Sequence, residues 1–458
     1  MRHTQHSAAR NFPLCRAVTF NHLVEVLPPS LIADALAQTG VAPARVRRLD
    51  LLCTYFLVIA MHLFGRMRLG EVLATLCHTA RLARPGYEPV AGDAAITYRR
   101  QQLGVRPLVA LCRQLCRPLA TPTTPGAFLG PWRLMAIDGT VFDVPDTAQN
   151  RRVFGGPSNQ HGHSAYPQLR AVALVECGTH AIVDVGCWPY RTSEYTGLTR
   201  LLRSVTPDML ILLDRGLHSA AWIAACRARG AHVLARLPSN VRVRKLRRLP
   251  DGSWLAELPP QDRGGQRQRA PLPVRYIEYT SDDPQAAGTV YRLITTLLDH
   301  DAYPAPQLAA LYHERWEVET TFDELKTHLD LADHPFRSKT PLGVVQEFYG
   351  LVLAHYVVRG LMHASAVEGQ VDPDRLSFVR AVRVLERYLP DCQRAAPEDL
   401  PRLAARIRAE MRERLLPPRQ QRTNPRVVKR RGSTFPTKPH ATTPARLRRP
   451  IPELIRLI

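Results

Sequence analysis

Four side chains with chemistry to offer lie in one stretch, LAALYHERWEVETTFDELKTHL, from Leu308 to Leu329. It has neither Pro nor Gly and is rich in helix formers, which predicts one long helix. At about 100° per residue, with Tyr312 set to zero, Arg315 falls at roughly 300°, Glu319 at roughly 340° and Lys326 at roughly 320°. A phenol, two cations and a carboxylate then share an arc of about 60°. Beside it runs an apolar stripe of Leu311, Val318, Phe322, Leu325 and Leu329, while Glu314, Glu317 and Glu324 point elsewhere. Such a helix buries one face and presents Tyr, Arg, Glu and Lys along its edge. A surface helix with ordinary i,i+4 ion pairs has the same composition.

Two more carboxylates occupy telling positions. Asp138 sits within the apolar run MAIDGTVF, and Asp214 ends MLILLD. A bare carboxylate among apolar neighbours is costly unless something binds it. Open α/β sheets gather ligands at the carboxyl ends of parallel strands, the position expected of Asp214. With Glu319 these make three hard oxygen donors, which suit Mg²⁺ or Mn²⁺ rather than zinc. Two such ions about 3.5–4 Å apart activate a water or a 3′-OH and stabilise the leaving oxygen of an in-line phosphoryl displacement. Other readings stand beside these. Asp138-Gly139 is also a type I′ hairpin signal, and Asp214-Arg215-Gly216 is also a strand-to-helix turn with a capping Asp. Asp323 shares the face of Glu319 and rivals it as third ligand, but three residues before Lys326 it reads first as a helix ion pair. Asp143 and Asp146, beside Pro145 at a strand end, compete less well with Asp138.

The elements that must position these residues follow from hydrophobic patterning. From about 21 to 120 the pattern is helical, with Ser30 as a cap, a buried helix over 51–64 and further helices at 69–80, 92–103 and 107–119. Arg99, Arg100, Arg106, Arg113 and Arg117 form a face that suits either phosphates or solvent. TPTTPGAFLGP at 121–131 is a linker. WRLMAIDGTVFDVP then reads as a strand, and LRAVALVECGTHAIVDVGCW as two strands around Cys177-Gly178-Thr179. SEYTGLTRLLRSV is helical, MLILLD a strand buried on both faces, SAAWIAACRARG a helix and HVLARL a strand. The order β-β-β-α-β-α-β implies an antiparallel start followed by α/β alternation. Short strands dominate from about 238 to 290. Helices return at 343–362, 374–389 and 398–416, and no acidic residue occurs between Pro417 and Pro450.

The chain has 458 residues, 45% of them hydrophobic, enough for about three domains with real cores. Net charge is +22, which points to a polyanionic partner and away from small acidic substrates. Lys occurs only at 245, 326, 339, 429 and 438, so nearly all of the positive charge is Arg. The nine Cys show no metal spacing and read as reduced thiols of a cytosolic protein. No signal peptide is visible, and the longest apolar run, Leu51 to Phe64, is too short to span a bilayer.

Tyr312, Arg315, Glu319 and Lys326 fit the spacing Y-x2-R-x3-E-x6-K, with IDGT and LLDRG upstream in order. In this the chain resembles the bacterial insertion-sequence-four transposases of the DDE superfamily, over roughly residues 20–440. The resemblance implies an α/β fold with a ribonuclease-H-like catalytic core, a β-rich insertion, an α-helical N-terminal domain and a helical C-terminal region. Its boundaries would be a flexible tail at 1–20, the N-terminal domain at 21–120, the core at 131–237 and 301–365, the insertion at 238–300, C-terminal helices at 366–416 and a basic tail at 417–458. It further implies that Asp138, Asp214 and Glu319 hold two Mg²⁺ or Mn²⁺ ions, and that Tyr312, Arg315 and Lys326 contact DNA phosphates. The expected activity is cutting transposon ends and joining them to target DNA. The partners implied are double-stranded DNA, as terminal inverted repeats and target, and a second copy of the chain. The expected location is the bacterial cytoplasm at the nucleoid, with no membrane. An aromatic of the insertion, Trp254 or Tyr291, is a candidate to stack on a flipped base. Leu217 stands where relatives often have an aromatic. The alternatives are a ribonuclease-H-like nuclease or resolvase without strand transfer, and a non-catalytic DNA-binding protein derived from a transposase.

Overall fold

The computed structural model describes Leu27, Leu49 and residues 29–41, 51–65, 67–76, 92–159, 162–163, 166–259, 262–263, 266–267, 270–281, 289–329, 336–396, 398–417, 422–423, 445–446 and 455–457. The expected tail at 1–20 and most of that at 417–458 lie outside these residues. Among the described residues five helices come first: α1 Pro29–Gln38, α2 Leu51–Leu63, α3 Leu69–Leu76, α4 Asp93–Leu103 and α5 Arg106–Leu115. Then follow β1 Trp132–Asp143, α6 Ala148–Phe154, β2 Gln168–Glu176, β3 Ile182–Pro189, α7 Glu194–Leu201, β4 Met209–Leu213, α8 Ala220–Arg227 and β5 His232–Arg236. The insertion supplies β6 Arg244–Arg248, β7 Trp254–Leu258, β8 Leu272–Ser281 and β9 Tyr291–Thr295. Beyond it lie α9 Ala305–Leu311, α10 Glu317–Asp323, α11 Pro341–Gly369, α12 Phe378–Arg394, α13 Leu400–Arg412 and β10 Ile455–Leu457.

Local chemistry explains many starts. Ser193, Ser219, Thr340 and Ser377 each accept a backbone N–H three residues on, capping α7, α8, α11 and α12. Ser30 does not act as a cap, because Pro29 already begins α1 and pre-sets the first helical φ. The run MLILL is buried at every position, as a parallel strand covered on both faces requires.

The chain divides into two compact units. One comprises 1–127, 138–204 and 317–415. In it α11 is the central rod, packed on α2, α5, α12 and α13. By length and composition α11 is apolar enough to cross a bilayer, but 78% of that window is buried inside the protein. Strands β2 and β3 form an antiparallel hairpin covered by α7. The other unit comprises 128–137, 205–316 and 416–458. Its strand order is β1-β4-β5-β9-β8-β7-β6, with β10 on β8. The β1-β4 and β4-β5 pairs are parallel, and the rest antiparallel. Strand β1 runs through the boundary, giving 132–137 to the second unit and 138–143 to the first. The observed order from β1 to β5 is β-α-β-β-α-β-α-β: the expected β-β-β-α-β-α-β of a ribonuclease-H-like core, with the short helix α6, absent from the sequence reading, added after β1.

Candidate active site

The second unit positions Asp214 by strand register. Parallel pairing sets Ile137 of β1 opposite Leu213 of β4. These are the residues immediately before Asp138 and Asp214. Asp214 is half-buried, and its carboxylate makes no capping bond to the 3-10 turn Arg215–Leu217 that follows. The capping alternative is therefore not what the side chain does. Close by, the Tyr312 hydroxyl donates to the Leu213 carbonyl at 3.2 Å. Burial, together with the nearby Asp214 charge, raises the Tyr312 pKa above its usual 10 against the opposing pull of Arg315 and Arg236. The phenol therefore stays protonated and remains a donor. Arg315 is buried too, with its guanidinium carbon 5.7 Å from the Trp316 ring centroid. Asp214, Tyr312 and Arg315 thus form one electrostatic neighbourhood.

The first unit carries Asp138, Glu319 and Lys326. Strand β1 passes straight through Asp138-Gly139, so the hairpin alternative does not form there. Asp138 is half-buried and its Oδ1 accepts the Gly139 N–H at 2.8 Å. The side chain of Glu194, ion-paired with Arg170, packs on Gly139. A Cβ there would meet Glu194 Cγ at 2.8 Å, so only glycine fits without a shift. Sequence patterning did not single out Glu194. Its one signal was a place just after the Ser193 cap, which is an ordinary helix start. Asp143 is exposed and accepts from Gln168 at 2.8 Å, and Asp146 pairs with Arg151 at 2.6 Å.

The stretch expected to be one α-helix is a helical run of changing pitch. Helix α9 passes into a 3-10 turn at Tyr312–Trp316, then α10, then a π turn at Glu324–His328. A 3-10 turn advances about 120° per residue and a π turn fewer than 100°, so one fixed angle per residue does not hold along it. Glu319 and Lys326 are half-buried, and the Lys326 ammonium lies 5.3 Å from the Phe142 ring centroid. Burial lowers the Lys326 pKa, while Asp143 and Asp323 pull it back up. Asp323 accepts from Thr327 at 2.7 Å and lies 3.4 Å from His328. The expected pair with Lys326 is thus not its hydrogen-bonded contact.

Glu317 and Glu324, which the helical spacing turned away from the Tyr312–Lys326 edge, are 1% and 3% exposed. Glu324 takes Arg359 Nε at 2.9 Å, a second bond from the same guanidinium, and His355 Nε2 at 2.9 Å. Glu317 accepts the Gly178 N–H. His180 joins both ends, with Nδ1 3.5 Å from Glu324 and Nε2 3.9 Å from Glu317 and 3.1 Å from Asp374. Burial and Arg359 press the His180 pKa down, but Asp374 and Glu324 lift it to about 9. Burial alone would raise the Glu324 carboxyl; Arg359, His180 and His355 hold it well below the usual range. His180, Glu317 and Asp374 have the spacing of a metal site, yet the Arg359 guanidinium also contacts His180 Nδ1. The cluster is already supplied with positive charge.

The basic residues divide between structure and surface. Arg100 is buried and pairs with Glu347 at 3.0 Å, so it does not belong to a phosphate-facing surface, whereas Arg106, Arg113 and Arg117 are exposed. Strand β6, RKLRR, is exposed at all five positions. Trp254 lies under Lys245 at 5.1 Å, and Tyr291 stacks on Tyr279 at 5.0 Å with Arg236 4.7 Å from its ring.

The family model "Transposase DDE domain" matches residues 131–357, and "Insertion element 4 transposase N-terminal" matches 17–113. The chain is 29% identical over 429 residues to "Transposase InsG for insertion sequence element IS4" of Escherichia coli (strain K12), covering 91% of this chain and 93% of that protein. It is 24% identical over 230 residues to "Putative transposase InsZ" of the same strain, covering 50% of this chain and 74% of that one. The cryo-EM structure of the piggyBac transposase synaptic complex with hairpin DNA is similar at a TM-score of 0.42 and 11% identity, over 92% of this chain and 87% of that chain. Two family models matched in order, and a relative aligned along nearly its whole length, place this protein in the insertion-sequence-four family of DDE transposases.

Proposed function

We propose that Asp138, Asp214 and Glu319 are the catalytic carboxylates of this insertion-sequence transposase and hold two Mg²⁺ or Mn²⁺ ions. The supporting observation is the parallel register that pairs Ile137, in the middle of β1, with Leu213, at the carboxyl end of β4, each the residue before an Asp. The donor set fits the ions: three carboxylates, hard oxygen ligands with no thiol among them. Held by these three carboxylates, divalent cations would supply activation of the attacking oxygen and stabilisation of the leaving one.

The protein's own residues do the rest. Tyr312, kept protonated by burial, donates to a phosphate oxygen or to the Leu213 carbonyl. Arg315 offers a guanidinium fork and Lys326 a single ammonium, so the end of the transposon DNA is gripped by geometry and charge. The exposed cations of β6 and of Arg106, Arg113 and Arg117 add salt-dependent, sequence-independent affinity for duplex DNA. A 3′-OH freed when water cleaves the end then attacks a phosphodiester of target DNA, forming the new P–O bond as the bond to the target strand's 3′ oxygen breaks and that oxygen leaves. Two copies of the chain hold the two inverted-repeat ends.

Glu319→Gln tests the reading. Replacing a metal-holding carboxylate by its neutral isostere is expected to lower end cleavage by roughly a thousandfold or more while leaving binding to end DNA in place. Cleavage at the wild-type rate would refute the assignment. The nuclease alternative is separated by incubating enzyme, Mg²⁺, pre-cleaved ends and a target plasmid: joined product supports transposition, and nicked plasmid alone supports a nuclease.

A further inference from the structure

We infer that Glu324 is a positioning residue for Glu319, through an ionic keel built on the opposite side of the helical run. The inference rests on the carboxylate reading above. Glu317 and Glu324 are seven residues apart, as are Glu319 and Lys326. Glu317 and Glu319 both lie in α10, where their two-residue offset turns through about 200°. Glu317 is accordingly buried and Glu319 half-buried, and beyond the change of pitch Glu324 is buried and Lys326 half-buried.

The buried pair is tied to three other elements. Arg359 and His355 reach Glu324 from α11, Gly178 and His180 reach both acids from the turn between β2 and β3, and Asp374 reaches His180 from the turn before α12. Gly178 has φ +80°, and a Cβ there would lie 2.7 Å from the Pro125 carbonyl, so the turn that delivers this N–H is itself fixed. Burying Glu317 and Glu324 with a guanidinium and two imidazoles, beside the half-buried Asp374, is a poor way to gain stability, since apolar residues of the same volume often do as well. What the ionic set adds is direction. Apolar contacts let a short helix roll or slide, whereas a bidentate guanidinium fixes rotation and register. The π turn begins at Glu324 itself, so the run changes pitch where the keel takes hold. Such turns recur at functional sites. A carboxylate that shares ions with partners elsewhere in the chain must be held to about 0.5 Å, which is what this anchoring supplies.

The test uses the full-length protein and two readouts: the Mg²⁺ dependence of end cleavage, and Mn²⁺ binding without DNA followed by electron paramagnetic resonance. Glu324→Gln is expected to raise the Mg²⁺ half-saturation and the Mn²⁺ dissociation constant by roughly tenfold or more, the usual cost of losing an outer-shell partner. Its rate at saturating metal should recover to within a few-fold of wild type. If Glu324→Gln fails to fold because it strands Arg359, the double variant Glu324→Gln/Arg359→Gln removes both charges and is expected to show the same shift. Unchanged half-saturation in a folded variant, with or without a lower rate, overturns the inference. So does failure of both variants to fold, which would make the network a folding requirement only. Glu319→Gln run in parallel separates the two claims: wild-type Mn²⁺ binding and cleavage in that variant would sink the carboxylate reading itself.

Discussion

The helical run from Ala305 to His328 passes from one compact unit into the other, and its two parts are anchored by different physics. In the first part, Tyr312 is held by a neutral hydrogen bond to a strand carbonyl and by packing. In the second, Glu317 and Glu324 are held by buried charges from α11 and the β2-β3 turn. A neutral hydrogen bond contributes about 1 kcal/mol net, whereas removing one partner of a buried ion pair costs about 3–5 kcal/mol. The difference teaches where tolerance lies. The Tyr312 end can lose its anchor and stay folded, but the Glu319 end depends on a full set of partners.

Arg359→Ala should break this contrast most severely. It leaves Glu324 buried without its main cation, so a loss of about 3–5 kcal/mol is expected by chemical denaturation. A loss under about 1 kcal/mol would show that the keel carries no more weight than the tyrosine anchor. Gly178→Ala comes next, because the added Cβ meets the Pro125 carbonyl at 2.7 Å and the backbone is left-handed. A loss of roughly 1–3 kcal/mol is expected, with cleavage impaired through Glu317.

A smaller, pH-dependent effect sharpens the comparison. His180 has its pKa raised from 6.5 to about 9, so it favours the folded state fully below pH 6.5. That contribution fades as pH rises from 6.5 through 9. Melting temperatures measured across this window should fall more steeply in wild type than in His180→Gln; parallel curves would contradict the assignment. Tyr312 adds no such dependence, since its pKa moves further above 10. Tyr312→Phe is expected to have the smallest effect on stability, about 1 kcal/mol or less, and to act mainly on DNA affinity and rate. A collapse of the fold in that variant would erase the distinction between the two ends.

Much of this was legible in the residues. Strands β1 to β5 and helices α7 and α8 followed from alternation and apolar runs, because strand and helix periods are local properties of a sequence, whereas the seven-residue α6 was missed. Asp138 and Asp214 stood out because a charge inside an apolar run demands an explanation. Reading the organising stretch as one uniform α-helix was less successful. It turned Glu317 and Glu324 away from the site edge but gave no sign of their burial, because the partners that let a carboxylate be buried, Arg359, His355 and His180, lie tens to more than a hundred residues away. Glu194 was missed for the same reason, since its contact with Gly139 spans 55 residues (194 − 139).

By itself the sequence determined most of the elements and the family to which they belong, and it marked the side chains proposed here for its chemistry, all of which rest on residue type and short spacing. Only the tertiary structure decided which carboxylates are spent on holding a helix in place. Burial of charge is settled by distant partners, and no local pattern encodes them.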